Sequence, residues 1–109
     1  MKVLIIKMSS LGDVIHCLPA VRDLFEHDPS IILDWVVEEG FADLPRMHPG
    51  VRRVLPIAIR RWRKSWLGHR REIMEFRQIL QAERYDLVID AQGLIKSAAV
   101  GRMAKGKLV

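Results

Sequence analysis

The chain has 109 residues, half of them hydrophobic, with 18 Lys and Arg against 13 Asp and Glu and a net charge of +5. This allows one domain with a real core, and no apolar run approaches the ~18 residues of a membrane-spanning helix. Lys7 breaks the first hydrophobic run with no small-residue cleavage pattern after it, and the lone Cys17 excludes an internal disulfide and fits a reducing compartment such as the cytoplasm.

Val3 to Met8 is short, apolar and β-rich, the signature of a buried parallel strand. Leu11 to Phe25 carries Leu11, Val14, Ile15, Leu18, Val21 and Phe25 at helical spacing, with Pro19 either kinking the helix or opening its main part. The sequence Asp28-Pro29-Ser30 reads as a turn, and "IILDWVVEE" from Ile31 as a second strand. Phe41 to Met47 suits a short helix that the His48-Pro49-Gly50 turn ends. "VRRVLPIAI" makes a third strand, with Pro56 at its end or on an edge. A basic loop follows, then a helix from about Trp66 to Arg84 whose stripe is Ile73, Phe76 and Leu80. "YDLVID" is a buried strand, and a turn at Ala91-Gln92-Gly93 leads to a helix over Leu94 to Ala104. Strands alternating with helices predict an α/β fold, a doubly wound, Rossmann-like parallel sheet.

Ligands of open parallel sheets bind outside the carboxyl ends of the strands. Three polar segments fall there: Ser9 to Asp13, Arg60 to Lys64, and Asp90 to Lys96. The first lacks both the dinucleotide G-x-G-x-x-G pattern and the Walker G-x-x-x-x-G-K-[ST] pattern, so no nucleotide fingerprint is present. Ser10 and Asp13 instead match the capping box [ST]-x-x-[DE] ahead of an apolar run. A cap and a chemical role for Asp13 are compatible, since a helix N-terminus keeps a carboxylate ionised. Between Val51 and Arg71 stand Arg52, Arg53, Arg60, Arg61, Arg63, Lys64, Arg70 and Arg71 with no acid among them. Such a block suits anions: phosphate, carboxylate, nucleic acid or an anionic membrane face. Trp62 inside it can stack on a ring, join the core or sit at a membrane interface. Asp90, Gln92 and Lys96 surround a strand-to-helix turn, where turn chemistry accounts for them. His16 and His48 lack metal-ligand spacing with each other or with Cys17.

Taken in order, "KMSSLGDVIHCLPA", "DWVVEEGFADLP", "RRVLPIAIRRWRK" and "YDLVIDAQGLIKSA" resemble the N-terminal part of the heptosyltransferase I family of lipopolysaccharide glycosyltransferases (glycosyltransferase family 9). The resemblance implies a GT-B architecture, with two Rossmann-like domains around a cleft. Residues 1–109 would be a partial N-terminal, acceptor-binding domain, the donor-binding domain being absent. It further implies transfer of heptose from ADP-heptose to the Kdo of Kdo-lipid A, with Asp13 as general base and no metal or other cofactor. By the same resemblance Arg60, Arg61, Arg63 and Lys64 grip the acceptor's carboxylates and phosphates, and Ser9, Ser10 and Gly12 lie near the donor. Cys17 stands where the family pattern leads one to expect threonine. The acceptor's place implies a cytoplasmic protein peripheral to the inner membrane, and no nucleic-acid partner. These residues alone are expected to be inactive, because near-attack geometry needs both substrates held. The competing readings are a non-catalytic basic module for nucleic acid or anionic lipid, and a bare structural fragment. Steep salt dependence of binding by the isolated chain would mark the basic module.

Overall fold

The computed structural model describes residues 1–9, 11–91 and 106. Among them the strands are β1 (Lys2–Ile6), β2 (Ile32–Glu38), β3 (Val51–Ile57) and β4 (Leu87–Asp90). All pair in parallel, in the order β3-β2-β1-β4. The chain therefore steps outward from β1 to β3 and then crosses back to place β4 on the other side of β1. The reversal between β1 and β4 is the topological switch point of a doubly wound sheet. The α/β Rossmann-like expectation holds.

Helix α1 (Leu11–His27) runs unbroken through Pro19. A proline has no N–H to donate to the carbonyl one turn back, and Pro19 sits on the exposed side of the helix. The buried stripe is Val14 and Val21, supported by Cys17, Leu18, Leu24 and Phe25. Leu11 and Ile15, which share the helical period, are exposed at the helix's first turns. After β2 come a 3-10 turn (Glu39–Phe41) and the short helix α2 (Asp43–Arg46).

Two expectations are corrected after β3. The basic segment is not a loop but a short helix, α3 (Ile59–Lys64), and the long helix, α4 (Arg70–Gln81), starts at Arg70 rather than Trp66. Ser65 separates them: its extended backbone stops α3, and its hydroxyl and carbonyl accept the Gly68 and His69 N–H groups at 3.2 Å each. Pro56 lies within β3, an edge strand, where its missing N–H costs no ladder bond. The expected helix over Leu94 to Ala104 lies outside the described residues.

Because side chains alternate along a strand, the sheet feeds two cores. Val3, Ile5, Leu33, Trp35 and Val37 face α1; Leu4, Ile6, Val36, Leu55, Ile57 and Val88 face α4 through Phe76 and Leu80. Trp62 belongs to the second core, packed edge-on against Phe76 with ring centroids 5.8 Å apart.

Candidate functional site

The carboxyl ends of the strands carry the site, and the turn after β1 is its best-anchored part. The Lys7 N–H donates to the Val36 carbonyl at 3.2 Å, the Trp35 indole donates to the Lys7 carbonyl at 3.1 Å, and the Glu38 N–H donates to the Met8 carbonyl at 3.0 Å. On the other flank the Lys7 ammonium reaches across the switch point to the Ala91 carbonyl at 3.2 Å, and the Ala91 N–H donates to the Ile6 carbonyl at 3.0 Å. Ser9, Gly12 and Asp13 follow from this braced turn, with Gly12 and Asp13 exposed on the first turn of α1. Ser10, the first half of the expected capping box, lies outside the described residues, as do Gln92 and Lys96. Cys17, one turn below Asp13, is half-buried; burial pushes its thiol up, with Lys7 opposing, so it is not poised as a nucleophile. Among the described residues no group of His, Cys, Asp and Glu is arranged to hold a metal ion.

The cationic side of the site is α3, which follows β3 and starts beside the end of β2. Glu38 is buried at the last position of β2. It lies beside the backbone N–H groups of Ile59 and Arg60, the first two residues of α3. No side chain of α3's own caps that end, and the Glu38 carboxylate from the neighbouring strand supplies negative charge where an N-cap would stand. Burial raises the Glu38 carboxyl above its ordinary value; the two N–H groups oppose that, and Glu39 adds to it.

The four expected acceptor contacts divide. Arg61 is engaged within the fold: its Nε and Nη2 donate to the Glu39 carboxylate at 2.8 and 3.0 Å, and its Nη1 donates to Glu72 Oε2 at 3.1 Å, with Nη2 also on Glu72. The guanidinium holds both carboxyls below their ordinary range. Arg60, Arg63 and Lys64 are exposed and form no ion pair among the described residues. Arg61 thus pins α3 to the 3-10 turn and to α4, while its neighbours point their charge outward.

Arg52 and Arg53 do not join them. A register shift between Leu33 and Asp34 sets Asp34 opposite Arg53 and leaves Arg52 as the extra residue of a bulge. Both arginines reach the same fully buried carboxylate. Arg52 grips Asp34 bidentately at 3.0 and 2.6 Å, Arg53 donates to it twice at 3.1 Å, and the Tyr85 hydroxyl donates to it as well. Glu83 receives both guanidinium groups on the outside. Burial alone would raise the Asp34 carboxyl, but the bonds from Arg52, Tyr85 and Arg53 together hold it below its ordinary value. Burial and the neighbouring Asp34 push Tyr85 up to about 12. This cluster stands toward the amino ends of the strands, away from the site, and its work is structural.

Reading the sequence alone passes over Glu38, Trp35 and Lys7. The available signal was the even spacing of Asp34, Val36 and Glu38, which places two acids on one face of an otherwise apolar strand.

Fold and site together define a Rossmann-like segment that presents a braced acidic turn beside a short cationic helix at the carboxyl edge of its sheet. Known proteins share both its sequence and its shape. A family model described as Glycosyltransferase family 9 (heptosyltransferase) matches residues 73–109. Lipopolysaccharide heptosyltransferase 1 of Escherichia coli K12 is 59% identical across 97% of this chain and 34% of its own length. The protein of the same name from Pseudomonas aeruginosa is 59% identical across 94% of this chain and 29% of its own. The solved structure of the E. coli heptosyltransferase WaaC with ADP-2-deoxy-2-fluoro heptose superposes with a TM-score of 0.95 at 56% identity, covering 99% of this chain and 35% of that one. The chain is a homologue of these heptosyltransferases, and it spans about a third of the length of the curated relatives it matches.

Proposed function

We propose that the chain is the acceptor-binding part of an inverting glycosyltransferase that moves L-glycero-D-manno-heptose from ADP-heptose to Kdo-lipid A. The observation that carries this reading is the likeness to heptosyltransferase 1 over nearly the whole chain, joined to the position of Asp13 at the switch-point end of the sheet. In this reading the Asp13 carboxylate takes the proton of a Kdo hydroxyl as that oxygen attacks the anomeric carbon; ADP leaves from the opposite face and the configuration inverts. Asp13 stands in the first turn of α1, where the helix dipole favours a negative charge, and the bonds to Lys7 and Met8 anchor the turn that leads toward it. Arg60, Arg63 and Lys64 meet the acceptor's carboxylates and phosphates as charge-assisted donors, and Arg61 keeps their helix in place. Ser9, Ser10 and Gly12 are assigned to the donor, and most of the nucleotide to the part of such an enzyme that this chain does not match. The acceptor being a lipid, the protein works at the cytoplasmic face of the inner membrane.

The test is a chimera in which this chain replaces the matching third of the E. coli heptosyltransferase. The chimera is expected to transfer heptose, and Asp13→Ala to lower turnover by about 10²–10⁴-fold, the range of a lost general base, with ADP-heptose affinity largely kept. Turnover within a few-fold of the parent chimera would remove Asp13 from the base role.

A further inference from the structure

The turn between α3 and α4 carries an apolar tip that the fold does not use. Trp66 is 65% exposed and Leu67 64%, whereas Trp35 is fully buried and Trp62 packs on Phe76. The tip is not loose chain: Ser65 closes the turn on the Gly68 and His69 N–H groups, and the Arg70 N–H donates to the Leu67 carbonyl at 3.4 Å. Two adjacent large apolar side chains are thus held outward by a defined backbone.

Position and charge say what covers them. The helix α4 has to bring the chain back to the start of β4, which runs parallel to β1, so its first residue, and the turn before it, lie on the carboxyl side of the sheet with the site. Arg60, Arg63 and Lys64 precede the tip and Arg70 and Arg71 follow it, all exposed and none in an ion pair among the described residues. Of the neighbouring acids, Glu39 and Glu72 are taken by Arg61, Glu38 is buried and feels Arg60, and Glu75 shares a surface with Arg70 and Arg71. A protruding Trp-Leu pair flanked by five cations against two acids left to them fits the boundary of an anionic bilayer, where an indole sits at headgroup level, an aliphatic side chain below it, and cations among the phosphates.

We propose that Trp66 and Leu67 form a membrane-interface wedge that seats this face of the protein on an anionic lipid surface. The proposal rests on the acceptor-side reading, since it brings the cationic helix and the Asp13 turn to the plane in which a lipid-linked acceptor lies, and it assigns the seating to two residues outside that site. In binding to vesicles, the five cations set the requirement for anionic lipid and the salt dependence. The wedge sets the depth.

The experiment measures sedimentation of the 109-residue chain with vesicles of phosphatidylcholine alone or mixed with phosphatidylglycerol, and quenching of tryptophan fluorescence by bromine on the upper acyl chain. Binding only to the anionic vesicles, bromine quenching that disappears in Trp66→Phe/Leu67→Ser with Trp62 unchanged, and a loss of roughly tenfold or more in partition for Trp66→Ala/Leu67→Ser are expected, the last being the scale of one lost apolar side chain. Salt-sensitive binding that is neither quenched nor weakened by the double substitution overturns the wedge. So does tighter retention on an oligonucleotide that the double substitution leaves unchanged. Neither outcome touches the acceptor-side reading, which fails separately if the chimera keeps full transfer after Arg60, Arg63 and Lys64 are made neutral.

Discussion

Glu38→Ala tests how the cationic helix is held. The substitution removes the carboxylate that stands beside the Ile59 and Arg60 N–H groups at the start of α3. Well-aligned bonds to a charged acceptor are worth about 1.5–3 kcal/mol each, but burial raises the Glu38 carboxyl, so desolvation offsets much of any gain. The net loss is that of one cap, about 1 kcal/mol, or about fivefold in local opening. Amide hydrogen exchange at Ile59, Arg60 and Trp62 is the direct assay: exchange there is expected to quicken about fivefold, while amides of β1 and β2 move less. Glu38→Gln keeps an acceptor oxygen without a charge to bury and is expected to leave α3 as protected as in the parent at neutral pH, or more so. A carboxyl whose folded value is raised contributes stability that is full below its ordinary value of 4.5 and is lost as pH rises through the folded value. The advantage of Glu38→Gln over the parent therefore grows with pH across that window. Unchanged exchange at Ile59 and Arg60 in a folded Glu38→Ala protein would refute the remote cap.

Asp34→Ala should be far more costly. It leaves Tyr85 without its acceptor and two guanidinium groups without their shared carboxylate, a broken buried pair worth about 3–5 kcal/mol in denaturant unfolding. Because the folded Asp34 is held below its ordinary value of 3.8, its contribution is present above that pH and lost as pH falls through the folded value; the variant should lack that part of the parent's acid sensitivity. Gly50→Ala places a methyl 2.6 Å from the Phe25 ring, which already stacks on His48 at 5.5 Å between centroids. A loss of about 1–3 kcal/mol is expected, and an unchanged unfolding midpoint would show that the ring has room to swing away.

How much of this was legible beforehand depended on whether the signal was local. Strand and helix identity came through because period and composition are local: "VLII" and the Ile73-Phe76-Leu80 stripe need no partner to be read. Boundaries failed where a tertiary contact sets them. α3 starts beside the Glu38 carboxylate of another strand and is pinned by Arg61 to Glu39 and Glu72, and it ends because Ser65 turns the chain; none of these is visible inside "IRRWRK". The Asp13 turn was legible as a place, at the end of an apolar strand before a helix. Its bracing by Trp35 and Lys7 was not, because those bonds join residues far apart along the chain.

The arginines show the same division within one residue type. In the sequence, eight cations between Val51 and Arg71 form an unopposed block. In the fold, the acids arrive from elsewhere: Asp34 from β2 and Glu83 from beyond α4 for Arg52 and Arg53, Glu39 and Glu72 for Arg61. Three of the eight are thereby turned into fasteners, and the five that form no ion pair among the described residues all lie between Arg60 and Arg71, around the turn that carries Trp66 and Leu67. The charge that matters for recognition is therefore the remainder left once the sheet has drawn on what it needs. That remainder is concentrated on the edge where an open parallel sheet places its ligands. Mutating Arg52 or Arg53 would consequently read out as loss of stability, and mutating Arg60, Arg63 or Lys64 as loss of anion affinity in a protein of near-normal stability, a separation that a count of positive charges does not contain.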